Sequence, residues 1–301
     1  MIIEKRKGKS SLLTINGITK TTSEWASENG ITTALLGERL RQNWPEEKLF
    51  IHPEEVMRNP FNKNYFDVID DEHKAYWLGF IWCDGYMAIR NREGRNSTSY
   101  EFKLTLKKDD YGHLKKFNQD LNGNYKIHFY KSQGFNRSEE FIESRLLITN
   151  QYFGKTLAEK YGLIPNRTDC SKIIQAIPEY LMKHFIRSLI DADGSFCHYI
   201  AEESNEYGIY ITQKCIVDIG GQPELLKAIE CHLIKNNIVN DFDRKINKRH
   251  KNEERDGSYR NLKFCGRRQA MALLHYIYDD ATIYLDRKYE KFLDIVEKLE
   301  M

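Results

Sequence analysis

The spacing of apolar residues divides this 301-residue chain into a short N-terminal stretch and a long stretch whose pattern occurs twice. Between residues 10 and 50, Leu12, Leu13 and Ile15 precede Asn16-Gly17, a pair suited to a tight hairpin turn. Ser23 is placed to cap a short helix, SEWASENG, that ends at Gly30. A second helix is predicted over about Thr32 to Arg41, with Leu35, Leu36 and Leu40 on one face. Two short helices around a glycine turn have the form of a helix-turn-helix. Residues 51 to 68, with Pro53, Pro60 and several Asn, read as a linker.

The remainder is an internal repeat. A helix is predicted from Glu72 to Cys83, stopping at Asp84-Gly85, followed by a short strand near Tyr86 to Ile89. Tyr100, Phe102, Leu104 and Leu106 then alternate with polar residues as a one-sided strand. A helix carrying Leu114, Phe117 and Leu121 closes at Gly123. Next come a strand with Tyr125, Ile127 and Phe129 inward, a strand from Arg145 to Thr149, and a helix near Gln151 to Tyr161. From Pro178 the order returns: a helix from Glu179 to Ala192 stops at Asp193-Gly194. A long strand places Tyr207, Ile209, Ile211, Cys215, Val217 and Ile219 on one face, ahead of a helix with Leu225, Ile229 and Leu233. Strands near Phe242 to Ile246 and Leu262 to Cys265 precede a helix with Met271, Leu274 and Tyr278, and a last helix runs over about Tyr284 to Leu299. Asp84 to Asp193 spans 109 positions and Leu114 to Leu225 spans 111, a nearly constant offset. The expectation is an α+β body of two pseudo-twofold α-β-β-α-β-β-α halves, residues 61–175 and 176–301, behind a small module at 1–60.

Composition narrows the partners. With 46 basic and 44 acidic residues the chain is nearly neutral, so any nucleic-acid surface must be local. Charged residues at 30% and the lack of a long apolar run argue against a membrane protein. The opening MIIEKRKGKS has no apolar stretch after its charges and is not read as a secretory signal. Six scattered cysteines without a Cys-x-x-Cys pair point to reduced thiols in the cytoplasm rather than a zinc site.

The chemistry concentrates at the two Asp-Gly helix ends. The first is Trp77-Leu78-Gly79-Phe80-Ile81-Trp82-Cys83-Asp84-Gly85, and the second is Ile186-Arg187-Ser188-Leu189-Ile190-Asp191-Ala192-Asp193-Gly194. Small residues four apart, Gly79 with Cys83 and Ser188 with Ala192, permit close helix packing. Gly85 and Gly194 suit a left-handed helix end. A carboxylate at a helix C-terminus is disfavoured by about 0.3–1 kcal/mol. Packing the helices across a twofold would bring Asp84 and Asp193 together, and two such charges call for a cation with oxygen ligands, Mg²⁺.

Ser188 to Gly194 resembles the signature of the LAGLIDADG homing endonucleases, and Trp77 to Gly85 resembles a diverged copy. Ile177-Pro178-Glu179, His184 to Arg187 and Tyr284 to Tyr289 extend the resemblance over about residues 70 to 301. It implies a two-copy, single-chain, site-specific DNA endonuclease, acting as a monomer on double-stranded DNA. Its signature helices would form the interface, its saddle-shaped sheets would lie in the major groove, and the last acid of each copy, Asp84 and Asp193, would bind the divalent metals. Trp82 replaces the earlier Asp in the first copy, and Ser188 replaces the usual Gly in the second. The family also uses basic residues near the metals. Lys107, at a strand end, is the candidate in the first half; it aligns with Asp218 in the second, leaving Gln213 and Lys214 as nearby candidates. Ser23 to Ala26, Gly30-Ile31, Arg39-Leu40 and Trp44 resemble small DNA-binding units appended to phage and organellar nucleases, with Arg39 and Arg41 as candidate contacts. Gly208-Ile209-Tyr210 looks like half of a GIY-YIG signature, but without its partner it reads as strand core.

Candidate DNA contacts follow from charge. Residues 244 to 268 hold ten basic residues against three acidic ones, the footprint of a phosphate-facing surface. Arg244, Lys248, Arg249 and Arg260 are the candidates there, with Lys214 on the preceding strand. In the first half Lys103, Lys107 and Lys126, with Thr105 and His128, fall opposite the apolar faces, and Arg92, Arg95 and Arg137 fall in loops. A non-cleaving DNA-binding regulator and an RNA-splicing maturase on the same scaffold remain open beside the enzyme.

Overall fold

A computed structural model describes residues 2–4, 11–51, 60–91, 98–133, 140–240, 247–248 and 260–300, with the backbone alone at 2–4, 247–248 and 300. Contacts divide the chain into two units, Met1–Pro60 and Phe61–Met301.

The smaller unit opens with an antiparallel sheet of β1 (Ile2–Glu4), β2 (Leu12–Ile15) and β3 (Ile18–Thr21). Asn16 and Gly17, at φ 50° and 79°, make the tight turn between β2 and β3. Helix α1 (Thr22–Glu28) starts two residues earlier than expected. Its cap is Thr21, not Ser23, because the Glu24 carboxylate accepts from Thr21 N while the Thr21 hydroxyl accepts from Glu24 N. Helix α2 (Thr33–Arg41) is capped by Thr32. Leu13, Ala26, Ile31, Leu36 and Leu49 form the core of this unit.

Arg39 belongs to that core. It is 3% exposed, lies over the Trp44 ring, and donates to the carbonyls of Leu49 at 2.7 Å and Ile51 at 2.6 Å. The expectation that Arg39 meets DNA is therefore overturned, since its donors tie the chain after α2 back onto the helix. Arg41 is exposed and pairs with Glu38 one turn away. Arg39→Ala should destabilise this unit by about 2 kcal/mol, because hydrogen bonds from a charged donor contribute about 1.5–3 kcal/mol. Melting of the full chain followed at Trp25 and Trp44 checks this, and an unchanged transition there would contradict it.

In the larger unit the repeat is explicit. The first half runs α3 (Glu72–Asp84), β4 (Gly85–Asn91), β5 (Thr98–Lys107), α4 (Tyr111–Asp120), β6 (His128–Gln133), β7 (Glu140–Thr149) and α5 (Gln151–Tyr161), followed by α6 (Ser171–Ala176). The second runs α7 (Met182–Ala192), β8 (Ser195–Asn205), β9 (Gly208–Gly221), α8 (Pro223–Lys235), β10 (Asn247–Lys248), β11 (Arg260–Cys265) and α9 (Arg267–Tyr278), followed by α10 (Asp286–Glu300). Both sheets are antiparallel with the same order of strands: first, second, fourth, third. The mixed α+β architecture with duplicated halves is thus as expected. Phe61, Tyr65 and Phe66 are part of this unit's core, so the expected linker ends at Pro60 and residues 61–68 are packed chain.

One face of each sheet is covered by helices. Phe102, Leu104, Leu146 and Ile148 are buried in the first, and Phe196, Cys215, Val217, Leu262 and Phe264 in the second. The β8–β9 hairpin outruns that cover. Ile209 and Ile211 keep the parity of Val217 but are 72% and 74% exposed, and Tyr207 lies in the turn. Gly208 to Tyr210 is consequently the exposed start of a strand rather than strand core. Phe129 is likewise half exposed: it lies on the edge strand β6, which starts only at His128, with the Tyr111 ring at the start of α4 packed against it at 5.5 Å.

Candidate active site and nucleic-acid interface

The carboxyl ends of α3 and α7 meet in the middle of the larger unit. Gly79 makes the approach possible: a methyl group added there would land on the Ser188 hydroxyl and within 2.9 Å of Phe185 Cδ2. Farther along the interface, Glu72 at the start of α3 accepts from Arg187 of α7 at 2.5 Å. Arg187 is wholly buried and also donates to the Ile277 carbonyl at 2.7 Å. Neither Gly85 nor Gly194 is left-handed, contrary to expectation; Gly85 has φ −77°. Glycine is required there by space. A side chain at Gly85 would strike the Ile81 carbonyl, and one at Gly194 would come within 2.6 Å of Ile190 Cα.

Asp191, the first acid of the second motif, is a structural anchor. Wholly buried, it accepts from Tyr76 Oη at 2.8 Å, Tyr278 Oη at 2.5 Å and Leu285 N at 2.9 Å, and so ties both halves together. Tyr76 Oη also meets His113 Nε2 at 3.0 Å. Burial, then the charges of Lys116 and Arg287, lowers the His113 pKa to about 3. The unfolded chain takes up that proton near pH 6.5, so stability is full above this value and lost as pH falls towards 3. The slope is about 1.4 kcal/mol per pH unit for one proton. Thermal melts between about pH 7.5 and about pH 5.5 should show it, and His113→Asn should flatten the curve. An unchanged slope in the variant would contradict the assignment.

Asp84 and Asp193 end their helices half-buried, as matched residues. Burial first, and then the charge of Asp193, pushes the Asp84 carboxyl up to about 7. The same two acids, after burial, raise the Cys83 thiol. Among the described residues no group of three or more His, Cys, Asp or Glu is arranged to hold a metal ion.

The sheet register identifies residues that sequence alignment misplaced. The residue after each Asp-Gly, Tyr86 and Ser195, pairs with Lys103 and Asp218 respectively. Lys107 therefore corresponds to Gln222, not Asp218; the halves differ in hairpin length. Lys107 is exposed in a cleft with Asp84, Thr105, Asp110, Glu143 and Arg287. Gln222, buried ahead of α8, lines the matching cleft with Asp193, Asn166 and Arg167.

The helix-free faces carry the remaining candidates. Lys103 lies over the Tyr86 ring at 4.7 Å, and Lys214 pairs with Glu203 at 2.5 Å. Lys126 is exposed in an irregular stretch before β6, not on a strand. Arg260 shares the parity of buried Leu262 and Phe264, so it lies on the helix side, and Lys263 takes the open face instead. Arg244 and Arg249 lie outside the described residues, as does the side chain of Lys248 and the loop arginines Arg92, Arg95 and Arg137. Arg145 was not foreseen. It sits on the open face against the Tyr130 ring at 4.3 Å and Glu143 at 3.5 Å, and its parity opposite Leu146 was the available signal.

No family model and no curated protein matches this sequence. Among solved structures, the chain is similar to LAGLIDADG homing endonucleases. A structure of the LAGLIDADG homing endonuclease I-LtrWI bound to target DNA has a TM-score of 0.48 at 11% identity, covering 79% of this chain and 92% of that one. The LAGLIDADG meganuclease I-AabMI bound to uncleaved DNA has a TM-score of 0.46 at 13% identity, covering 77% and 92%. A double mutant of I-SmaMI has a TM-score of 0.49 at 13% identity, covering 75% and 91%.

Proposed function

We propose that this chain is a site-specific double-strand DNA endonuclease that hydrolyses one phosphodiester in each strand at the paired ends of α3 and α7. The observation that carries this reading is the meeting of Asp84 and Asp193, close enough for one charge to raise the other's pKa. A structural role does not need that repulsion, because Asp191 already ties the halves together. Asp84 and Asp193 would hold divalent Mg²⁺, which would supply activation of water and stabilisation of the charge that develops on the phosphate. The chain's own residues orient the rest: Lys107 and Gln222 sit beside the two acids at matched strand ends. In each strand a water oxygen bonds to phosphorus, the P–O ester bond breaks, and the water's proton leaves with the departing oxygen.

Duplex DNA would lie across the open sheet faces, read by Lys103, Arg145 and Lys214 and by whichever of Arg244, Lys248, Arg249 and Lys263 reach it. The duplicated halves let a single copy address both strands, so a monomer suffices. Incubation with Mg²⁺ and duplex DNA from around its own gene tests the reading. Cutting at one sequence supports it; binding without cutting under every divalent cation favours a DNA-binding regulator. Selective binding of structured RNA favours a maturase.

A further inference from the structure

Two equivalent segments, those after α5 and after α9, return to the motif helices in the same way. After α5, Arg167 donates to the Trp82 carbonyl and stacks on the Trp82 ring at 5.0 Å. After α9, Lys288 donates to the carbonyls of Gly194 at 2.7 Å and Ile190 at 3.3 Å, beside Leu285, whose N–H meets Asp191. Each segment therefore caps the motif helix of its own half. Each also carries an arginine into the cleft of the opposite half. Arg167 lines the cleft of Asp193 with Gln222, and Arg287 lines the cleft of Asp84 with Lys107. Arg287 is held by both Asp110 oxygens at 3.0 Å while its side chain stays 52% exposed, free to meet a ligand. Its charge also opposes the rise in the Asp84 pKa.

We propose that the two strand-cutting sites are crossed: Arg167 holds the phosphate cut at Asp193, and Arg287 holds the phosphate cut at Asp84. Each site takes its acid from one half and its phosphate-holding arginine from the other. A guanidinium presents forked donors that fit phosphate oxygens. This rests on the endonuclease reading.

The test is the initial cutting rate of each strand, measured on a duplex target with the two strands separately labelled, in Mg²⁺. Arg167→Ala and Arg287→Ala should each slow one strand relative to the other by roughly ten- to a hundred-fold, as expected for one lost charge-assisted hydrogen bond. The two variants should protect opposite strands. Lysine at either position should restore part of the rate, and DNA affinity in Ca²⁺ should change little. Arg287 caps no helix, so its variants keep the test intact should Arg167→Ala fail to fold. Equal slowing of both strands, slowing of the same strand by both variants, or no slowing at all would overturn the proposal while a cutting wild type leaves the endonuclease reading standing. A wild type that cuts neither strand overturns both.

Discussion

Asp84→Asn and Asp193→Asn should each abolish double-strand cutting, while affinity for the DNA target should stay near that of the wild type. Asparagine keeps the shape and one oxygen but removes the charge that holds a divalent cation. Losing several kcal/mol of charge stabilisation at the phosphate corresponds to a rate loss of about a thousand-fold or more. Stability separates chemistry from folding in this experiment. The two carboxylates repel each other across the α3–α7 contact, so removing one charge should leave the metal-free melting temperature unchanged or higher. Binding in Ca²⁺ and cutting in Mg²⁺ on the same labelled duplex give both readouts. Residual nicking of one strand by one variant agrees with separate sites. Full double-strand cutting by either variant would remove that acid from the chemistry.

Gly79→Leu has the largest effect expected on stability. A side chain there meets Ser188 and Phe185 of α7 across the contact between the motif helices. Overpacking of this kind typically costs about 1–3 kcal/mol, and the motif helices must also part, carrying Asp84 away from Asp193. In a body of this size each kcal/mol lowers the melting temperature by roughly 2–4 °C. Gly79→Ala should show the same defect in smaller measure, and Ser188→Gly should relieve much of it by removing the hydroxyl that the methyl strikes. Unchanged melting and cutting in Gly79→Leu would mean that the helices do not meet at this point.

The parts of the molecule that repeat were legible in the sequence. Alternation at Tyr100 to Leu106 and at Cys215 to Ile219 marks one-sided strands, and the two Asp-Gly ends mark the paired helices. What escaped was set by neighbours distant along the chain. Arg39 reads as a surface arginine on a helix, and only the folded path of residues 49–51 shows carbonyls waiting for it. Lys107 aligned with the wrong partner because a longer second hairpin shifts the count, whereas the ladder beginning at Tyr86 and Ser195 restores it to Gln222. Ile209 and Ile211 continue the apolar parity of their strand past the helices that would cover it, so periodicity alone could not show their exposure. Gly85 and Gly194 were placed correctly as helix ends, but crowding against the preceding turn, not a positive φ, excludes a side chain there.

Whether the paired acids cut DNA is read from a single selection experiment. The full-length chain is allowed to select duplexes from a randomised library without divalent cation, Mg²⁺ is then added, and the ends produced are sequenced. One enriched sequence is expected, cut in both strands at a fixed position by the wild type and left whole by Asp84→Asn and Asp193→Asn. Enrichment of a sequence that the wild type holds but leaves uncut would contradict cutting by these acids.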